Sequence, residues 1–196
     1  MSLSQYIAFT GLLYLIGFSA LNFIRQQGLS ARFILEGLIF TLAGIVLSLF
    51  YPVSPILFLI LIYLITMRVR VLVDMGNWFS ARKDFRRALA LYSFALRLSP
   101  DESGRLVTLI SRGVTQLRMQ DYEAAHKTLE GALSSAKVQL RAKYISAGYY
   151  NLGIACSHTG RDKEAIQCFY QATQVFPASV YARAAERALK ERGAKK

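Results

Sequence analysis

The chain opens on apolar runs that charge rarely interrupts. Leu3 to Ile24 carries no charged side chain over 22 residues, and about 20 apolar residues in a helix cross the hydrocarbon core of a bilayer. Phe33 to Phe50 is a second run with a single acid, Glu36, near its start. Tyr51-Pro52-Val53-Ser54-Pro55 reads as a turn, because proline inside a helix removes a backbone bond. Ile56 to Thr66 resumes the apolar pattern, and it reaches Val73 if Arg68 and Arg70 extend toward lipid headgroups. The pattern predicts three transmembrane helices, at 3–24, 33–50 and 55–73. No basic residue precedes the first, and it is too long for the apolar core of a signal peptide, so it is read as a retained span.

From Arg68 onward the pattern changes. Of 24 basic and 12 acidic residues, only Arg25, Arg32 and Glu36 lie before it. The domain boundary is therefore expected between 1–67 and 68–196. Arg25 and Arg32 mark the first loop as basic, the second loop has no charge, and Arg68, Arg70, Arg82, Lys83, Arg86 and Arg87 follow the third span. Basic segments stay in the cytoplasm, and three spans put the first loop and the C-terminal region on one side. The expectation is an integral protein of a bacterial inner membrane, N-terminus outside and C-terminal domain cytoplasmic. A re-entrant hairpin over 29–55 would change that parity.

In the polar part, small and large positions recur. Gly76, Ala88, Tyr92, Ala95 and Pro100 repeat at the same spacing as Gly153, Ala165, Phe169, Ala172 and Pro177. Gly113, Ala125, Leu129 and Ala132 form a third copy between them, with Lys137 in place of the proline. Small residues allow two antiparallel helices to approach, so each glycine should face the alanine of its own copy, with the large residue filling the seam beside them. The pattern resembles the tetratricopeptide repeat, a helix–turn–helix unit of about 34 residues.

The resemblance implies an all-α chain: an α-solenoid of about three repeats, at 69–102, 106–139 and 146–179, closed by a capping helix at 178–192. The cap should pack through Val180, Ala184, Ala185, Ala188 and Leu189. The marker glycines are 37 and 40 residues apart, longer than the family's unit. The first excess is expected in the loop Ser99 to Gly104, the second in helices lengthened on both sides of residues 132–147. Arg112 and Asp162 depart from the family's preferred residues.

Chemistry is sparse. Cys156 and Cys168 fall at helical positions inside the third repeat, and His126 and His158 match no metal-ligand spacing, so core cysteines and no metal or cofactor are expected. No phosphate-binding loop, nucleophile elbow or zinc-protease pair occurs; the chain is read as not an enzyme. Glu36 lies four residues after Arg32, at ion-pair spacing on a helix. Gly37 and Gly44 suit close packing among the spans.

In the family's register the first helices line a peptide-binding face. The resemblance implies a groove for a protein partner formed by Asn77, Val107, Ile110, Val114, Leu117, Tyr150 and Ile154; the same apolar spacing also suits plain core. Val73 and Ala147 replace the basic residues of a carboxylate clamp, which disfavours that mode. The basic group Arg68, Arg70, Arg82, Lys83, Arg86 and Arg87 suits anionic lipid; nucleic acid is disfavoured because Phe85, Tyr92 and Phe94 fall at repeat-packing positions. Two functions follow: a membrane-anchored adaptor that holds a protein partner at the cytoplasmic face, or a small accessory or assembly subunit of a larger membrane complex. Between Ile56 and Arg82 there is no proline, and Gly76 is the only glycine, so the third span and the first repeat helix are expected to form one continuous rod.

Overall fold

The computed structural model describes residues 2–24, 31–134 and 142–193. All regular structure among them is helical, in ten helices. The chain divides into two compact units, Met1–Val71 and Leu72–Lys196.

In the first unit, α1 (Leu3–Ile24), α2 (Ala31–Phe50) and α3 (Pro55–Thr66) pack on one another. Their shared core is Ile7, Tyr14, Leu15, Phe33, Phe58 and Ile62. Glycines bring the helices close: a Cβ on Gly44 would come within 2.5 Å of the Phe58 ring, one on Gly37 would meet Leu15, and one on Gly11 would meet Thr41. The outward faces remain apolar, with Leu12, Leu13, Ile16, Leu42, Val46 and Leu49 all exposed. By length and composition α1 and α2 each suffice to cross a membrane.

The third span departs from expectation. Its helix stops at Thr66 after 12 residues, about 18 Å at 1.5 Å per residue, short of a bilayer core of about 30 Å. The next helix, α4 (Arg68–Ala81), leaves at a bend of 75°. The continuous rod expected over 56–82, and the straight span over 55–73, are therefore broken at Met67. Side chains stabilise the break. Thr66 Oγ1 donates back to the Ile62 carbonyl at 2.6 Å, a bond that bends helices. The Arg68 guanidinium donates to the Ile65 carbonyl at 2.7 Å, supplying a partner that a straight helix would take from its own backbone.

The second unit contains three helix pairs: the C-terminal part of α4 with α5 (Phe85–Arg97), α6 (Glu102–Arg118) with α7 (Tyr122–Ser134), and α8 (Ala142–His158) with α9 (Asp162–Val175). Each pair closes through the same turn. Lys83, Gln120 and Gly160 take positive φ at 64°, 63° and 75°. The following N–H groups of Asp84, Asp121 and Arg161 donate back to Phe79, Gln116 and Cys156 at 3.0, 3.0 and 2.9 Å, a left-handed helix ending. Asp84 and Asp121 then cap the second helices, accepting from the N–H of Arg87 and Ala124.

The marker glycines fit differently from expectation. Instead of alanine, the atoms nearest a Cβ on Gly76, Gly113 and Gly153 belong to the large residue: Tyr92 at 2.5 Å, Leu129 at 2.5 Å and Phe169 at 2.6 Å. Ala88, Ala125 and Ala165 are themselves fully buried.

One expected loop is helical instead. Glu102, Ser103 and Gly104, expected in a loop, form the first turn of α6, because the Asp101 carboxylate accepts from the Gly104 N–H at 2.8 Å. The first excess thus lies largely in helix. The second excess falls on 135–141, outside the described residues. The end of the stack is α10 (Val180–Gly193), packed on α8 and α9. Ser179 caps it, accepting from Ala182 N–H and sharing a hydrogen bond with buried Ser146. Ala182 and Ala185 point fully inward while Val180 is exposed. Of the expected inner face, Ala185 is buried and Ala188 and Leu189 pack against the core, while Val180 is exposed and Ala182 takes an inward place.

Candidate functional site

The first helices of the repeats carry the residues expected in a groove, and the structure places them at different depths. Ile110 is core, 5% exposed. Val114, Leu117, Tyr150 and Ile154 are partly buried and pack against that core from its edge; Val107 is also half-buried. Asn77 is exposed, and its Oδ1 accepts from the Tyr92 hydroxyl at 2.8 Å. Ala147 is buried. What the first helices offer is thus a row of half-covered apolar side chains on α6 and α8.

A polar network lies beneath Asn77. Thr115 Oγ1 donates to Ser80 Oγ at 2.9 Å, and the Arg118 guanidinium donates to the same oxygen at 3.2 Å. Burial raises the Tyr92 phenol above its ordinary value, and its hydrogen bond with Thr115 pulls partly the other way. Such a network orients the first two repeats because each buried polar group requires its partner.

The basic residues separate as well. In the first unit, Arg68 grips Glu36 with both terminal nitrogens, at 2.5 and 2.9 Å, while Arg32 donates to the same carboxylate at 2.7 Å. Glu36 is held by two arginines, and the spacing to Arg32 foretold only one. In the second unit, Arg82 lies 3.7 Å over the Trp78 ring, Arg87 lies 5.5 Å from the Phe79 ring centre, and Arg87 pairs with Asp84 at 3.4 Å. Lys83 and Arg86 are exposed, as is Arg70. Trp78 is itself 49% exposed, so its ring and the Arg82 guanidinium form a stacked amphipathic pair on the surface.

The cysteines and His126, read as inert from the sequence, come together. His126 on α7, Cys156 on α8 and Glu164 on α9 hold their donor atoms within 4.8 Å of one another. Spacing along the chain could not show this, since three helices contribute. Both thiols sit high in pKa: Cys156 because of burial and then the Glu164 charge, Cys168 up to about 12 because of burial and then Cys156.

Comparison with known families agrees with the repeat pattern in one place. The family model for the tetratricopeptide repeat matches residues 146–179, from Ser146 in α8 through α9 to the Ser179 cap. Repeats of this type serve protein–protein interaction. No curated protein matches the chain.

Proposed function

We propose that this chain is a non-enzymatic, membrane-anchored scaffold whose repeat unit binds a protein partner at the cytoplasmic face. One observation carries the reading: half-covered Val107, Val114, Leu117, Tyr150 and Ile154 line first helices whose other sides are closed by the glycine-to-large-residue seams. A second apolar surface is left there after the core is complete, the arrangement into which an amphipathic or extended segment fits. The apolar outsides of α1 and α2 support anchoring in lipid. The exposed Arg82, Lys83 and Arg86 support contact with anionic headgroups, at about 1 kcal/mol per basic residue near the surface.

The domain division near residue 67, the cytoplasmic side for the repeats and a bacterial inner membrane belong to the same proposal. Protease added outside intact spheroplasts should leave residues 72–193 uncut; digestion there would reverse the orientation.

Photo-crosslinkers placed in living cells at Val114 and Leu117, with Lys127 on α7 as control, test the groove. Crosslinks to one soluble protein from the first two positions and none from the third are expected. Val114→Ser with Leu117→Ser should abolish that product while the detergent-solubilised chain melts within a few degrees of wild type. A large fall in melting temperature without any crosslink would mean that the row is core. Crosslinks only from α1 or α2, to a membrane protein, would instead identify an accessory subunit, a reading that the exposed apolar faces of these helices also support.

A further inference from the structure

We propose that His126, Cys156 and Glu164, with Cys168 beside them, form a structural zinc site that ties the second repeat to the third. The donor set and its geometry support this independently of any partner. His126 Nε2 lies 3.6 Å from Glu164 Oε2, and Cys156 Sγ lies 3.9 Å from the same oxygen. Tetrahedral zinc, with bonds of about 2.0–2.3 Å to nitrogen, oxygen and sulfur, separates its ligands by about 3.4–3.8 Å. The two separations to Glu164 therefore need only a few tenths of an ångström of adjustment, and all three donors already lie within 4.8 Å of one another.

The fourth donor comes from α9. Glu164 and Cys168 are four residues apart on that helix and so share a face, and Cys168 lies near enough to Cys156 for each thiol to shift the other. Two thiolates, an imidazole and a carboxylate suit zinc over magnesium or calcium, which prefer all-oxygen shells. Each thiol would give up its proton to solvent as its sulfur binds the metal.

The imidazole is arranged for this role. While Nε2 faces Glu164, Nδ1 faces the Glu130 carboxylate at 3.8 Å. A carboxylate on the far nitrogen orients a metal-binding histidine and raises its basicity. Arg161, a cation that acts on Cys156, is itself engaged by Glu123 at 3.1 Å. In the site, α7, α8 and α9 would be joined by one ion.

Cobalt(II), which replaces zinc in tetrahedral sites and is visible by its absorption, provides the test. The full chain, purified in detergent, stripped with chelator and kept reduced, is titrated with cobalt. One equivalent should bind, with strong tetrahedral bands and a sulfur-to-cobalt charge-transfer band that zinc then removes. Cys156→Ser should lose about half or more of the charge-transfer intensity, one of the two thiolates being gone. His126→Ala, at the cluster's edge, should lose the tetrahedral bands while its far-ultraviolet circular dichroism stays that of wild type. Glu130→Gln should weaken binding by about 10–100-fold. Absence of cobalt bands, or bands unchanged in both His126→Ala and Cys156→Ser, would overturn the site. So would isolation of the chain with Cys156 and Cys168 joined as a disulfide.

Discussion

Gly37 and Gly44 in the N-terminal unit make room for Leu15 and Phe58, as Gly76, Gly113 and Gly153 in the C-terminal unit make room for Tyr92, Leu129 and Phe169. Both units thus close helix against helix with a glycine under a large side chain. They differ in what is left outside. Around the first core stand leucines, isoleucines and valines; around the second stand arginines, lysines and glutamates with scattered apolar residues such as Met75, Trp78, Phe94, Tyr170 and Val180. On the proposed anchoring the same seam would serve two solvents, because close packing depends on shape while the outer face depends on what surrounds it. In water the seam also gains from apolar burial; between helices in lipid it must rely on packing alone.

That contrast can be broken most forcefully at the large partner. Phe169→Ala should lower the stability of the C-terminal unit by about 3–5 kcal/mol, read from denaturation of the full chain in detergent by a probe in that unit. Phe58→Ala should cost the N-terminal unit clearly less, since lipid or detergent solvates the exposed surface in either state. Equal losses would mean that the first unit is packed for water after all.

The glycines give the next effect. Gly153→Ala puts a methyl 2.6 Å from the buried Phe169 ring, and overpacking of this kind costs about 1–3 kcal/mol. Gly37→Ala meets a flexible leucine side chain instead and should cost less in a matched melt. If Gly37→Ala is the worse of the two, rigidity of the partner is not what sets the penalty.

Charge provides a third comparison. Arg68→Ala removes two hydrogen bonds to Glu36 and leaves that from Arg32, and bonds to charged groups contribute about 1.5–3 kcal/mol. A loss of that order in the first unit is expected, with part of it recovered in the double variant Arg68→Ala, Glu36→Gln, because no uncompensated carboxylate then remains. No recovery would show that Arg68 acts through the Ile65 carbonyl alone.

The smallest effects come from backbone conformation alone. A Cβ on Gly131 meets nothing within 4 Å, so Gly131→Ala should stabilise α7 by about 0.5–1 kcal/mol. Lys83→Gly and Gln120→Gly relieve positive φ and should stabilise by up to about 1 kcal/mol, whereas Gly160→Ala should destabilise by a similar amount. Differential scanning calorimetry separates the two signs.

Much of the fold could be read along the chain because it is written in periodic patterns. Apolar runs marked α1 and α2, and the recurrence of Gly, Ala and a large residue placed three helix pairs in phase. The Ser146–Ser179 match to the repeat family covers the third of these. Little of the local irregularity could be read. The bend at Met67 depends on Thr66 and Arg68 finding carbonyls of the preceding turn, and neither proline nor glycine signals it. The groove was only half readable, because Ile110 and Val114 obey one apolar spacing and yet lie at different depths.

What the sequence determined by itself was therefore much of what depends on neighbours three and four residues away: the positions of most helices and the apolar or charged character of each outer face. Only the tertiary structure decided what depends on helices far apart in the chain. It brought Arg68 to Glu36 across 32 residues, and His126 to Cys156 and Glu164 from three separate helices. The physical reason is that a helix fixes directions along its own axis every 3.6 residues, whereas which helices meet, and at what rotation, is set by the packing of side chains across their seams.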